Sequence, residues 1–210
     1  MFPPIIAGVR EIVLASSSPR RRALLEALGL PLRVIVSEID ETALAGETPR
    51  EAAARLARAK VQAVVAGQEQ QAGLPRLYLG ADTVVEIDGL SLGKPRDRSE
   101  ARAMLEQLSG RSHEVHTALA LVETPSSSRR EALASSRVHF RPLTSAELDW
   151  YAATGEGGDK AGAYAVQGLA ALFIESVEGS YSNVVGLPLD LLYVLALELD
   201  WDLKRLGRVR

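Results

Sequence analysis

Residues 12–22 read Ile-Val-Leu-Ala-Ser-Ser-Ser-Pro-Arg-Arg-Arg, and this stretch predicts a strand, a tight turn and a helix. The apolar run 12–15 ends in three serines that can cap a helix, and Pro19 suits the first helical turn. Free N–H groups at a helix N-terminus bind anions, whereas arginines are disfavoured there by the helix dipole. The three arginines therefore indicate either a phosphate chain bound in the turn or a basic surface turn after an edge strand.

The composition is that of an ordinary globular chain of 210 residues, with 47% hydrophobic residues and a net charge of −3. The absence of cysteine excludes disulfides, thiolate metal sites and a cysteine nucleophile. The acidic balance argues against a nucleic-acid-binding surface. No apolar run approaches the roughly 18 residues of a membrane span, and segment 1–10 is too short and proline-broken for a signal peptide. We therefore expect a cytoplasmic protein with no membrane or nucleic-acid partner.

Strand and helix signals alternate, which predicts a mixed α/β fold whose sheet is not purely parallel. Capping boxes open helices at Thr48 and Thr144, and Asp88-Gly89 is typical of a hairpin turn. Residues 124–130 read as a polar loop, and no linker divides the chain, so we predict one domain over 1–210. The predicted strands are 12–15, 32–36, 77–87 (interrupted at 80–82), 90–92, 116–122, 136–141 and 172–177. The predicted helices are 20–28, 49–66, 101–108, 145–151 and 188–199.

Three charged residues stand in surroundings that do not suit them. Asp82 interrupts the apolar stretch 79–85, where a carboxylate needs a cation, a metal or a local turn to cap. Lys60 lies on the apolar stripe of the predicted helix 49–66, so its ammonium either enters a cleft or extends outward to water. Lys94 stands between a glycine and a proline, which present it rigidly to a ligand or simply to solvent.

Two further segments carry polar groups that suit a ligand. The run Ser-Glu-Ile-Asp-Glu at 37–41 is either a solvated loop or, with Asp82, an oxygen-rich Mg²⁺ or Mn²⁺ site. In the small-residue segment 159–168, the amide of Gln167 suits the edge of a nucleobase, although such a segment also serves for close packing. The histidines 113, 116 and 139 show no metal-ligand spacing and are assigned a structural role.

A nucleoside triphosphate fits this set of residues. Its polyanion needs arginine and lysine together with a divalent ion, and a carboxylate near the metal can take a proton from a water that attacks phosphorus. The sequence contains no P-loop and no GxGxxG motif. The residues therefore indicate metal-assisted hydrolysis of a phosphoanhydride.

Six segments, in this order, closely resemble the Maf family of nucleoside triphosphate pyrophosphatases. They are Leu-Ala-Ser-Ser-Ser-Pro-Arg-Arg (14–21), Gly-Ala-Asp-Thr-Val-Val (80–85), Gly-Lys-Pro (93–95), Asp-Lys-Ala-Gly-Ala-Tyr (159–164), Gln-Gly (167–168) and Gly-Leu-Pro (186–188). The resemblance implies the fold shared by Maf proteins and inosine triphosphate pyrophosphatases, an elongated mixed sheet with two lobes around a central cleft. It also implies cleavage between the α- and β-phosphates, a required divalent cation and a homodimer.

The resemblance further implies roles for individual residues. Asp82 matches the proton-accepting aspartate, Lys60 and Lys94 match the catalytic phosphate-contacting lysines, and Glu41, then Asp40, match the metal-binding carboxylate, with Asp82 as a further ligand. Arg20, Thr83 and Gln167 match positions tied to substrate choice. With these three, the residues assigned to substrate binding are Ser16, Ser18, Arg20, Arg21, Thr83 and Gln167.

The pattern at 159–168 is similar to the branch of the family that acts on dTTP and UTP. Two departures lie near it, since Gly157-Gly158 stands where the family often has a proline, and Ala170 replaces a frequent glycine. Loss of the proline is expected to loosen this loop. Two alternatives stay open, a non-catalytic nucleotide-binding regulator of cell division and a nucleotidyl transferase.

Overall fold

The computed structural model describes residues 10–68 and 75–207, in which seven strands form one mixed sheet. The strands are β1 (Glu11–Leu14), β2 (Leu32–Val34), β3 (Arg76–Ile87), β4 (Leu90–Leu92), β5 (Ser112–Thr124), β6 (Arg129–Phe140) and β7 (Ile174–Glu178). Their order is β2-β1-β3-β5-β6-β7, with β4 paired to β3. β1 pairs in parallel with β2 and β3, whereas the other pairs are antiparallel. The predicted mixed sheet is therefore confirmed.

The first four helices begin at residues whose side chains cap them. Ser18, Thr48, Asp97 and Thr144 each accept a backbone N–H from the first turn, and both predicted capping boxes are present. The helices are α1 (Pro19–Ala27), α2 (Pro49–Gly67), α3 (Arg98–Leu108), α4 (Ser145–Thr154), α5 (Tyr181–Val185), α6 (Leu189–Leu197) and α7 (Leu203–Leu206). α3 starts three residues before its prediction because Asp97, rather than the first apolar residue, caps it. Within the described part of the chain, no helix is both long and apolar enough to cross a bilayer.

β3 is continuous, so the predicted interruption at 80–82 is wrong. Gly80 is required for a different reason, since α2 packs directly against it. A Cβ at Gly80 would lie 2.2 Å from the carbonyl oxygen of Ala57 and 3.0 Å from Cβ of Val61. The glycine therefore allows the helix to approach the strand rather than breaking the strand.

β5 and β6 are longer than predicted, and they reduce the expected loop 124–130 to residues 125–128. Val122 pairs with Arg129, and the N–H of Glu123 donates to the carbonyl of Ser128 at 2.9 Å. Most residues of β6 are exposed or half-buried. The polar composition that suggested a loop belongs to a strand with one solvated face.

Three apolar clusters support the sheet and leave a cleft between them. Ile12 and Leu14 pack with α1 and α6 on one face of β1, whereas Val13 and Ala15 pack with α2 on the other. The third cluster joins the far end of β3 to α3 and α4. The sheet is thus covered on both faces near β1 and by a separate group of helices beyond β4.

The cleft opens where one edge of β3 lacks a neighbour. On that edge β3 pairs with β1 at residues 76–79 and with β4 at residues 85–87. Among the strands of the described chain, none pairs with residues 80–84 there. Residues 82–84 of this five-residue interval line the floor of the cleft.

Candidate active site

The cleft has a volume of about 520 Å³ and brings together residues that are far apart in the sequence. They come from the turn before α1, the loop before α2, α2 itself, β3, the segment after β4 and the loop after α4. Ten of the predicted site residues line it: Ser16, Ser18, Arg20, Arg21, Glu41, Lys60, Asp82, Thr83, Lys94 and Gln167.

The turn between β1 and α1 forms because its serines replace missing backbone partners. Ser16 Oγ accepts the N–H of Ser18 at 3.2 Å, and Ser18 Oγ accepts the N–H of Arg21 at 3.4 Å. Pro19 begins α1, as predicted. The helix N-terminus consequently faces the cleft, where its N–H groups favour a negatively charged ligand.

Arg21 is a buried side chain that ties three parts of the cleft wall together. Its Nε donates to the carbonyl of Gly186 at 2.7 Å, Nη1 to Ser16 Oγ at 3.2 Å and Nη2 to Thr83 Oγ1 at 2.9 Å. Burial lowers the pKa of Arg21, and the nearby charge of Asp82 opposes that effect. Arg21 therefore holds the cleft wall while adding positive potential beside Asp82.

Lys60 joins two carboxylates at the centre of the cleft. Its Nζ lies 2.6 Å from Asp82 Oδ1 and 2.8 Å from Glu41 Oε1. The side chain of Lys60 is 9% exposed and that of Asp82 is 11% exposed. The ammonium thus points into the cleft, and the alternative of an outward-extending lysine is wrong.

The two carboxylates have different pKa values because they differ in burial. Burial raises the pKa of Asp82 above its usual value, although Lys60 and Arg21 both act to lower it. For Glu41, burial alone would raise the pKa, but the hydrogen bond and charge of Lys60, together with the charges of Lys94 and Arg21, lower it. Such a difference between the pKa values of two neighbouring carboxyl groups is typical of sites where one carboxylate exchanges a proton and the other stays ionised.

Asp40 is not brought into the cleft. Its carboxylate accepts the N–H of Thr42 at 2.9 Å and the hydroxyl of Thr42 at 2.5 Å, and it is exposed. These hydrogen bonds lower its pKa. The carboxylate stabilises a local turn, and the position of Asp40 does not support its predicted share in a metal site.

The remaining carboxylates suit a divalent ion that arrives together with phosphates. Within the described residues no group of three or more acidic or histidine side chains is placed to hold a metal by itself. Glu41 and Asp82 form a pair, and Mg²⁺ is commonly bound by one or two carboxylates plus substrate phosphates and water. The donor set therefore fits a nucleotide-bound metal better than an independent protein site.

Sequence reasoning did not assign a role to Asp159 and Lys160, which also line the cleft. Asp159 Oδ2 lies 3.0 Å from Nη1 of Arg20, and Asp159 also contacts the ammonium of Lys160. Burial would raise the pKa of Asp159, but Lys160 and Arg20 together hold it at about 2. The sequence signal for these ion pairs was the adjacent opposite charges of Asp159 and Lys160 in a glycine-rich segment.

The other end of the cleft is apolar and carries Gln167. Val85, Leu92, Val115 and Tyr164 contribute to this end, and the side chain of Gln167 is exposed. Thr83 also lines the cleft, and its Oγ1 is 2.9 Å from Thr117 Oγ1. The cleft lining thus combines cations and carboxylates with apolar side chains and an amide.

The histidines lie outside the cleft lining. His113 Nε2 is 2.8 Å from Tyr164 Oη, and His116 is hydrogen-bonded to Ser135 and Glu86 at 2.8 Å and 3.1 Å. Both are buried between packed elements. Their contacts agree with a structural role.

Comparison with known proteins gives a consistent result. The sequence profile of a family described as Maf-like protein matches residues 11–199. The dTTP/UTP pyrophosphatase of Pelotomaculum thermopropionicum is 51% identical over 181 residues, which cover 86% of this chain and 92% of that one. The dTTP/UTP pyrophosphatase of Thermus thermophilus is 46% identical over 189 residues, covering 90% and 95%.

A solved structure supports the fold alone. The Ham1 protein of Staphylococcus aureus superposes with a TM-score of 0.50 at 14% sequence identity. The superposition covers 90% of this chain and 99% of that one. The predicted α/β architecture, with its mixed sheet, is confirmed.

Proposed function

We propose, since the chain belongs to the Maf family, that it hydrolyses dTTP and UTP to the nucleoside monophosphate and pyrophosphate. The observation that carries this proposal is the buried Asp82 held against Lys60 at 2.6 Å, in a cleft that also contains four other cations. Such a site suits a polyanionic substrate whose phosphoanhydride is attacked by water. The relatives named dTTP/UTP pyrophosphatase support the choice of base.

Asp82 is the proton acceptor in this proposal. Its pKa is raised by burial, which makes its carboxylate a better base than an exposed aspartate, while Lys60 favours the ionised form at neutral pH. Water attacks phosphorus and gives its proton to the carboxylate, and the bond to the leaving pyrophosphate oxygen breaks. Lys60 and Lys94 neutralise negative charge on the phosphates.

A divalent cation, Mg²⁺ or Mn²⁺, is proposed to be held by Glu41 and Asp82 together with the phosphates of the nucleotide. When bound, it neutralises charge on the polyphosphate and polarises the bond that is cleaved. The chain's own part is to supply the two oxygen ligands and to keep Lys60 between them. The ammonium limits repulsion between the carboxylates before the metal–nucleotide complex enters.

The base is proposed to lie at the apolar end of the cleft, against the loop that carries Gln167. The amide of Gln167 can both donate and accept, as the edge of uracil or thymine requires. Arg20 and Thr83 also line the cleft, and Arg20 is ion-paired with Asp159 of the segment that carries Gln167. The sugar and phosphates then extend toward Lys60 and Lys94.

The decisive experiment is pyrophosphate release from dTTP, UTP, CTP, 7-methyl-GTP and ITP with Mg²⁺ or Mn²⁺. Wild type is expected to turn over dTTP and UTP, and Asp82→Asn is expected to lose at least about a hundredfold in kcat. Asp88→Asn is the matched control, because Asp88 lies in an exposed hairpin turn at φ +54°, which asparagine tolerates.

Three outcomes contradict parts of the proposal. Full activity in Asp82→Asn excludes Asp82 as the proton acceptor, and equal activity without divalent cation excludes the metal. Binding without turnover supports the non-catalytic regulator, which the intact acid and lysine set disfavours. Release of monophosphate in the absence of any acceptor disfavours nucleotidyl transfer.

We also propose that the protein is a cytoplasmic homodimer without a nucleic-acid partner. Large apolar side chains at Trp150, Leu169 and Leu172 are 46%, 41% and 64% exposed, which suits a surface covered by a second copy. Light scattering during gel filtration measures the mass directly. A monomeric mass at micromolar concentration contradicts the dimer.

A further inference from the structure

The turn that carries Gln167 is fixed at both ends by side chains outside the cleft lining. The N–H of Ala165 donates to Tyr151 Oη at 3.1 Å, and the N–H of Leu169 donates to Glu156 Oε1 at 3.0 Å. Gly168 closes the turn by donating to the carbonyl of Ala165 at 3.0 Å. Gln167 therefore lies midway between two anchored amides.

The two anchoring side chains are bound to each other. Tyr151 Oη donates to Glu156 Oε2 at 2.7 Å, so one carboxylate receives both the phenol and the amide of Leu169. Tyr151 is 1% exposed and packs edge-on against Phe173 with 5.5 Å between ring centroids. The anchor thus extends from the rigid core of α4 to the cleft.

The glycines of this loop are explained by the anchor. A Cβ on Gly168 would lie 2.2 Å from Glu156 Oε1, and a Cβ on Gly157 would lie 1.9 Å from the carbonyl oxygen of Ala163. The loop therefore passes too close to the carboxylate and to itself for any larger residue. These contacts restrain the loop despite its glycines.

We propose that Tyr151 and Glu156 are positioning residues that hold Gln167 against the base and thereby set the preference among pyrimidine nucleotides. This inference rests on the proposed function. Uracil presents a donor at N3 and an acceptor at O4, whereas cytosine presents the reverse pattern. The amide of Gln167 can rotate to offer either pattern, so selection between the bases requires a fixed distance and angle between that amide and the base. The anchored turn fixes the backbone from which the Gln167 side chain extends.

The test compares kcat/KM for UTP and CTP in Tyr151→Phe and Glu156→Gln. Tyr151→Phe removes the phenol that binds Glu156 and Ala165, and Glu156→Gln replaces an ionised acceptor of two hydrogen bonds by a neutral amide with one acceptor oxygen. Both changes weaken the anchor, and we expect the preference for UTP over CTP to fall about tenfold. Tyr193→Phe and Glu198→Gln are the matched controls, since Glu198 forms an exposed surface ion pair with Arg130, and both are expected to keep the wild-type ratio. An unchanged ratio in both test variants overturns the proposal, because a purely structural role lowers both values together.

A double-mutant cycle shows whether the effect passes through Gln167. In a Gln167→Ala background, Tyr151→Phe and Glu156→Gln are expected to change the UTP/CTP ratio no further. An effect of full size in that background overturns the proposal. If the wild type hydrolyses no nucleotide, the proposed function fails, and the same ratios are then taken from dissociation constants.

The anchor itself has a readout that needs no substrate. Amide hydrogen exchange at Ala165 and Leu169 is expected to be about tenfold faster in the test variants than in the wild type and the controls. Unchanged exchange at both amides shows that the anchor does not hold the turn and overturns the inference.

Discussion

Lys60, Arg21 and Asp82 are charged residues that the fold buries, and each has partners that offset the cost of burial. A charge removed from water is tolerated when it is paired and hydrogen-bonded. When one partner is removed, the other remains as a buried, unpaired charge, which destabilises the fold. Lys60 serves two carboxylates and Arg21 serves three oxygen acceptors. The site is thereby organised by the protein before a ligand enters.

His113 gives a prediction about stability at mildly acidic pH. Burial lowers the pKa of His113 from its ordinary 6.5 to about 4, with a smaller contribution from the charge of His139. Above pH 6.5 the native and unfolded states are both neutral at this residue. As the pH falls from 6.5 toward 4, only the unfolded state takes up the proton, so the free energy of unfolding decreases.

The expected size of this effect is measurable by urea unfolding. Between pH 7 and pH 5 the free energy of unfolding should fall by about 2 kcal/mol more in the wild type than in His113→Gln. His139→Gln should keep most of the wild-type loss, because His139 is the smaller cause. Equal pH dependence in His113→Gln and the wild type contradicts this account.

Single residues were predictable where their chemistry conflicted with their neighbours. Asp82 in an apolar strand and Lys60 on an apolar helix face both identified the cleft from the sequence, without knowledge of their mutual distance. Asp159 was not recognised, because its partner Arg20 lies 139 positions earlier in the chain. Asp40 and Glu41 look alike as neighbouring acids in the sequence, and only the structure separates them, because Asp40 binds Thr42 whereas Glu41 binds Lys60.

At the scale of elements, the packing of α2 against β3 positions Lys60 opposite Asp82. Gly80 allows this approach, since any Cβ there would collide with the backbone of Ala57. The helix is begun by the Thr48 capping box, so its register on the strand follows from local sequence as well as from packing. The ion pair between Lys60 and Asp82 therefore depends both on the capping box that begins α2 and on the packing of α2 against β3.

Gly80→Ala is expected to lower the free energy of unfolding by at least about 2 kcal/mol, because the added methyl overpacks a backbone contact. Gly67→Ala is the matched control, since a Cβ there meets nothing within 4 Å. The control is expected to stay within about 1 kcal/mol of the wild type. Chemical denaturation measures both, and an unchanged stability in Gly80→Ala shows that α2 moves freely to accommodate the methyl.

Element types were more predictable than element ends. Capping boxes and apolar periodicity identified the principal helices, because these signals are local. The short helices α5 and α7 were missed since four or five residues carry too little periodicity. The ends of β5 and β6 were missed because pairing between strands, rather than local propensity, extends them through polar residues.

At the scale of the whole molecule, the cleft differs in charge from the rest of the protein. Five cations and three carboxylates line it, although the chain as a whole has a net charge of −3. The cations are Arg20, Arg21, Lys60, Lys94 and Lys160. A locally positive cleft in an acidic protein attracts a polyanion without attracting nucleic acid to the general surface.

This charge distribution predicts a dependence on salt. Raising the ionic strength from about 0.01 M to about 0.1 M shortens the screening length from roughly 30 Å to roughly 10 Å, so the KM for UTP should rise severalfold. Inhibition by uridine, which has no phosphates, is the control and should change little. Parallel weakening of UTP and uridine contradicts an electrostatic origin.

The overall architecture was predictable from alternation of elements and from ordered motifs, but the origin of the cleft was not. Which edge of β3 stays unpaired is decided by where β1 and β4 end relative to each other in space. No local pattern in the sequence indicates where β1 and β4 end along β3. The cleft floor therefore emerges only from the assembled sheet.

The unpaired interval of β3 has a consequence for the design of inhibitors. The floor is one unbroken strand shared by both sides of the cleft, so it offers a fixed template, whereas the rims are turns. A rigid scaffold with backbone-like donors and acceptors can be matched to residues 82–84 as an added strand would be. Flexible groups are then needed only where the compound reaches Arg20 and Gln167.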